Sequence, residues 1–213
     1  GGSGNDTIYG GTGNDLIELY GYVSSGNNYA DAGPGSDTVY GGTGNDTIYG
    51  GTGDDYIFVP DGSNLIFGGD GVNSGEGNNW IAVYGNGDNT IYGGTGTDFI
   101  AVLGSGNNFI DGGDGNDYIF VVDGYFSDGL NGDGNGPTVS ENGGGDNTID
   151  GGAGDDVIVA FNNGSNEVAG GTGNDFIAVF GGGSNTIYGG TGNDTIIGGQ
   201  FYLNGDLNGE IGN

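Results

Sequence analysis

The sequence predicts an all-β chain wound as a parallel β-solenoid of about nine two-strand coils. Three observations carry this reading. Glycines recur in pairs at fixed spacing, apolar residues recur singly between them, and acidic residues fall at one phase of the same period. Of 213 residues, 58 are Gly, so ordering the chain carries a high entropic cost. The glycine has no triplet period, which excludes a collagen-like chain, and the regular apolar spacing is not needed in a disordered linker.

The repeat is explicit at the start. Gly1-Gly2-Ser3-Gly4-Asn5-Asp6-Thr7-Ile8-Tyr9 is followed directly by a second copy from Gly10 to Glu18. Further close copies begin at Gly41, Gly50, Gly93, Gly112, Gly151, Gly170 and Gly189, with degenerate ones between them. The six-residue glycine-rich half reads as a turn, since Gly supplies the positive φ that other residues resist. The last three residues read as a short strand whose middle residue points inward. Two such units make one coil of a flattened solenoid.

Charge narrows the chemistry. There are 29 acidic residues and no Lys, Arg or His, so no salt bridge between side chains is possible. Hard divalent cations, calcium above all, suit a surplus of carboxylate oxygens. The same balance excludes nucleic acid, whose binding needs Lys and Arg. It also argues against direct binding to anionic membranes or polyanionic sugars. No Cys is present, so redox compartment cannot be read from pairing. No signal peptide and no apolar run of transmembrane length occurs, and direct membrane insertion is not expected. The chain begins Gly1-Gly2-Ser3 and reads as a segment or processed form.

These copies resemble the RTX (repeats-in-toxin) calcium-binding nonapeptide, Gly-Gly-x-Gly-x-Asp-x-U-x with U apolar. The resemblance covers residues 1–197 and leaves a non-repeat tail at 198–213. It implies a right-handed parallel β-roll with calcium along an edge. Each ion would sit between one turn and the turn two repeats later, held by Asp at position 6 and by backbone carbonyls.

Taking every second repeat separates two unlike edges. One column of turns starts at Gly10, Ala32, Gly50, Gly68, Gly93, Gly112, Gly151, Gly170 and Gly189. Its position-6 acids are Asp15, Asp37, Asp55, Asp98, Asp117, Asp156, Asp175 and Asp194, the expected metal ligands. The other column carries Asn28, Asn64, Asn89, Asn108, Asn147, Asn166 and Asn185, with Asp only at Asp6 and Asp46. Calcium is therefore expected on one edge and an Asn ladder on the other. The fourth turn, Gly68-Gly69-Asp70-Gly71, is followed by an insertion before Asn78-Asn79. Setting the two gaps beside it apart gives about six to eight Ca2+ ions. Solvated turn chemistry is the bland alternative for these Asp residues, but eight acids at one phase exceed what turns need.

The core reads as two thin files. One runs Ile17, Val39, Ile57, Ile81, Ile100, Ile119, Ile158, Ile177, Ile196; the other runs Ile8, Ile48, Ile66, Ile91, Ile110, Ile149, Val168, Ile187. Longer strands add Val59, Val83, Val102 and Val179 inward. A core this thin makes folding calcium-dependent. An insertion at about 123–144 is expected as a surface loop. Alternation turns Tyr56, Phe58, Trp80, Tyr84, Phe99, Tyr118, Phe120, Phe161, Phe176 and Phe180 outward on one face, while the opposite face reads as mixed and more polar.

The function these features suggest is a secreted, calcium-binding structural or assembly module, of a surface layer, adhesin or extracellular filament. It would self-associate through the aromatic face or the open solenoid ends, with other copies or neighbouring domains as partners. The insertion near Tyr125-Phe126 and the tail at Phe201-Tyr202-Leu203 could instead cover that face, and carbohydrate stacking is a third reading. Ice binding is an alternative function, resting on Thr12, Thr52, Thr95, Thr172 and Thr191, a column interrupted by Pro34, Asp70, Asp114 and Ala153. An RTX segment of a larger secreted enzyme or toxin is another. Catalysis within this chain is not expected: it lacks His, Cys, Lys and Arg, and shows no acid pair off the repeat.

Overall fold

The computed structural model describes residues 1–19, 26–71, 77–122 and 145–199. The expected insertion at 123–144 and the tail from 200 onward lie outside these residues. Among the described residues, eighteen strands form two nine-stranded sheets, each built from alternate strands in chain order. The first sheet contains β1 (Thr7–Tyr9), β3 (Tyr29–Pro34), β5 (Thr47–Thr52), β7 (Leu65–Phe67), β9 (Thr90–Thr95), β11 (Phe109–Asp114), β13 (Thr148–Ala153), β15 (Glu167–Thr172) and β17 (Thr186–Thr191). The second contains β2 (Leu16–Glu18), β4 (Thr38–Tyr40), β6 (Tyr56–Val59), β8 (Trp80–Tyr84), β10 (Phe99–Leu103), β12 (Tyr118–Val122), β14 (Val157–Phe161), β16 (Phe176–Phe180) and β18 (Thr195–Gly199). Each strand pairs in parallel with the strand one coil away, for example Ile100 with Ile119 and Ile91 with Ile110. The chain is therefore a two-sheet β-roll, and β18 reaches two residues past Ile197.

Register explains why single apolar residues suffice. The middle residue of each triplet stacks on its counterpart, so Ile17, Val39, Ile57, Ile81 and Ile100 form one continuous file. Both expected files are buried over the inner coils. Ile196 departs from expectation at 47% exposed, and Ile8 and Ile187 are half-buried. They lie on the outermost coils, where a neighbour covers one side only. The core is also wider than the two files. Val59, Val83, Val102, Val121, Ala160 and Val179 form a third, in register and buried.

Glycine does two different jobs at the edge that carries the acids. In the turn of Gly112, the second and fourth positions, Gly113 and Gly115, hold φ of 103° and 135°. L-residues avoid that region, so these glycines are required by conformation. The first position, Gly112, has no such angle, and Ala32 holds the same place four turns earlier in the column. A small residue is required there for space, and that space belongs to the site.

Candidate metal edge

All eight predicted acids fall in one file down one edge, and from Asp37 onward each uses the same oxygen in the same way. Oδ1 accepts the backbone N–H of the position-6 residue in the preceding coil. The distances run 2.7 Å from Asp15 N–H to Asp37, 2.7 Å from Asp37 to Asp55, and 2.8 Å from Asp98 to Asp117. They continue at 2.7 Å to Asp156, 2.9 Å to Asp175 and 3.1 Å to Asp194. The fourth place is held by Asn79, whose Oδ1 accepts from Asp55 N–H at 3.0 Å. Asn79 N–H then donates to Asp98 Oδ1 at 2.7 Å, so the ladder is unbroken through the irregular turn.

The other carboxylate oxygen has no partner. Oδ2 of Asp15, Asp37, Asp55, Asp98, Asp117, Asp156 and Asp175 is buried without a hydrogen bond. A buried ionised oxygen in that state is among the most costly groups a fold can hold. Burial pushes the Asp55 and Asp117 carboxyls up to about 7, and those of Asp98 and Asp156 to about 6. Asp37 and Asp175 are raised for the same reason.

Six of the seven orphan oxygens face a main-chain carbonyl of the next coil across the space left by a position-1 glycine; in the Asp37 turn that position is Ala32. A Cβ built on Gly112 would lie 2.5 Å from both Asp117 Oδ2 and Gly151 O. One on Gly93 would lie 2.6 Å from Asp98 Oδ2 and 2.4 Å from Gly112 O. The same pairing recurs at Gly10, Gly50, Gly151 and Gly170. Two oxygens directed at one point repel unless a cation lies between them, and the chain has no Lys, Arg or His to supply one. The residues therefore fit a hard divalent ion with all-oxygen ligands. Among the described residues, no three acidic side chains converge on a point. Each place offers one carboxylate oxygen and the facing main-chain carbonyl of the next coil.

The opposite edge solves the same problem without a cation. Asn108 Nδ2 donates to Gly106 O at 2.7 Å and to Asn147 Oδ1 at 2.9 Å. Asn64, Asn89, Asn147 and Asn166 repeat this pattern. The expected Asn ladder is thus present, with the side-chain amides of these five residues directed at acceptors on both sides. The third apolar file explains what fills the remaining space: Val59 or Val102 stands where the acid edge has glycine. Asp6 and Asp46 occur on this edge only with a Gly-Gly pair, whose second N–H donates to Oδ2, 2.7 Å from Gly2 and 3.1 Å from Gly42. Neither belongs to the orphan set.

Two features escape a reading by period alone. Position-5 side chains form an outer ladder running opposite to the inner one, with Asn45 N–H on Asn27 Oδ1 at 2.9 Å and Asn174 N–H on Asp155 Oδ1 at 2.7 Å. The other is an aromatic stack on the first sheet, in addition to the one expected on the second. On the second sheet, Tyr56, Trp80, Phe99 and Phe120 lie 4.4–6.3 Å apart. On the first, Tyr9, Tyr29, Tyr49, Phe67, Tyr92 and Phe109 give one ring per coil over six coils. That face was expected to be mixed and polar, which holds only beyond Phe109, where Asp111 pairs with Asp150. The Thr column keeps register but is interrupted as expected, Asp114 and Ala153 standing between Thr95 and Thr172.

The model of the RTX calcium-binding nonapeptide repeat matches residues 1–20, 22–59, 73–102, 100–124, 142–160, 162–178 and 181–200. The chain belongs to the RTX calcium-binding nonapeptide-repeat family. No curated protein matches it. RTX repeats bind calcium, and the orphan oxygens lie at the position-6 acids of the RTX motif. The RTX roll is a structural fold rather than a known catalytic one. Within this roll the position-6 acid recurs along one edge except at Asn79, while the other edge keeps its period and retains Asp only at Asp6 and Asp46.

Proposed function

We propose that this chain is a secreted structural module that calcium folds and that assembles through its aromatic faces. Asp15, Asp37, Asp55, Asp98, Asp117, Asp156 and Asp175 each bind calcium with the facing carbonyl of the next coil, and Asp194 closes the file. The observation that carries this reading is the set of seven buried carboxylate oxygens without a partner in a chain without side-chain cations. Seven divalent ions would offset roughly half of the −29 formal charge. Secretion fits a protein that needs calcium to fold, because calcium is abundant outside cells, and RTX repeat proteins are typically secreted.

Assembly is supported by the exposed rings. Trp80, within a stack that continues from coil to coil, is 49% exposed, and Tyr118 on the same sheet is 44% exposed. A continuous apolar stripe of this kind exceeds what soluble monomers usually leave to water. In sedimentation velocity at millimolar calcium the protein should run larger than a monomer. Trp80→Ala combined with Tyr118→Ala should shift it toward the monomer. A wild-type chain that sediments as a monomer under these conditions would rule assembly out.

A further inference from the structure

We infer that Asn79 stands in for a calcium ion, so that the metal edge binds calcium as two separate blocks. The inference rests on the calcium reading above and concerns the one irregular place in the file. Asn79 keeps every ladder bond of an Asp. Its Oδ1 accepts from Asp55 N–H, and its N–H donates to Asp98 Oδ1. Only the second side-chain atom differs. Where the other coils direct a bare Oδ2 at a carbonyl, Asn79 directs an amide: Nδ2 lies 3.4 Å from Gly93 O and 3.5 Å from Gly77 O. A Cβ built on Gly68 would meet this Nδ2 at 2.8 Å and Gly93 O at 2.4 Å, the cradle of the other coils with nitrogen in place of oxygen. An N–H2 group supplies positive hydrogens to the carbonyl and repels a cation. The neighbouring gap, between Asp55 and Gly68 O, keeps its carboxylate and its carbonyl. One gap is therefore lost beside the irregular turn, not two.

The consequence is a break in coupling. Each ordinary turn serves two gaps. Gly112 O faces Asp98 of the coil before, while Asp117 of the same turn faces Gly151 O of the coil after. Filling one gap fixes a turn that lines the next, so neighbouring ions bind cooperatively. At Asn79 that relay stops. A run of three carboxylates, Asp15 to Asp55, lies on one side, and a run of five, Asp98 to Asp194, on the other. The break adjoins Trp80, the single Trp of the chain, whose backbone N–H donates to Asp55 O at 2.8 Å.

The test is a calcium titration of the whole chain, with bound ions counted by calorimetry or native mass spectrometry and folding followed by circular dichroism and Trp80 fluorescence. The wild type should fold in two transitions. Asn79→Asp should bind one more ion and merge the transitions into one. Asp117→Asn, which copies the Asn79 arrangement in the longer run, should bind one ion fewer. If Asn79→Asp leaves the count unchanged while Asp117→Asn lowers it, the stand-in is overturned and calcium binding stands. If the wild type holds no stoichiometric calcium, the calcium reading itself fails and this inference with it.

Discussion

In calcium-free buffer at pH 8 the chain should lose its β-sheet circular dichroism, and the signal should return on adding millimolar calcium. The physical cause lies in the seven buried Oδ2 atoms, none of which has a donor and six of which face a main-chain carbonyl. With calcium they become ligands; without it they are unpaired buried charges, each costly enough to threaten a marginally stable fold. The pH dependence follows with a definite sign. Burial raises Asp55 and Asp117 to about 7, and Asp98 and Asp156 to about 6, against about 3.9 for an unfolded Asp. A raised carboxyl means that the fold binds protons more tightly than the unfolded chain. The stability this gives is fully present below about pH 4 and is lost as pH rises through about 6 to 7. The calcium-free chain should thus hold more structure at pH 5 than at pH 8. Calcium should bind more tightly at pH 8 and release protons when it binds at pH 6. Calcium-free dichroism that is the same at both pH values would contradict the account.

Much of this was legible in the sequence because a solenoid repeats each environment once per coil. Ile100 and Ile119 share a phase, so they share a file, and the same holds for Asp98 and Asp117. What the period could not resolve falls into three physical kinds. Asn79 hides behind an insertion, and only its bonds to Asp55 and Asp98 place it in the file. The position-5 ladder uses Asn, Asp and Ser, whose frequency in turns already has an ordinary explanation. The aromatic stack of the first sheet moves between two strand positions, Tyr29 and Phe109 at the start of the triplet and Tyr49, Phe67 and Tyr92 at its end. A column search at one phase does not see it. One signal was present and usable: position 1 is Gly or Ala along the acid edge, but Val59, Val83, Val102 and Val179 on the other. Small against branched at that position separates a place with room for an ion from one filled by hydrocarbon.

That contrast sets the largest single-residue effect. Asn108→Asp should destabilise the calcium-saturated protein by about 3–5 kcal/mol in urea unfolding at neutral pH. It should add no ion to the calcium count. The new carboxylate oxygen would replace Nδ2, whose partners, Gly106 O at 2.7 Å and Asn147 Oδ1 at 2.9 Å, are both acceptors. Val102, buried on the same edge, leaves no room for a cation to intervene. Asp46 shows what an acid on this edge requires: Gly41 in place of the valine, and the Gly42 N–H donating to Oδ2 at 3.1 Å. Neither exists at Asn108. The introduced carboxyl should therefore be held above its usual range, and the loss of stability should shrink as pH falls and the protonated oxygen again supplies a hydrogen. Asp117→Asn is the mirror experiment, keeping its ladder bond to Asp98 N–H while giving up an ion. If Asn108→Asp instead gained calcium at little cost, then the edges would differ only by sequence drift. A large cost without an ion means that the valine file and the Asn ladder together make that edge metal-free by construction.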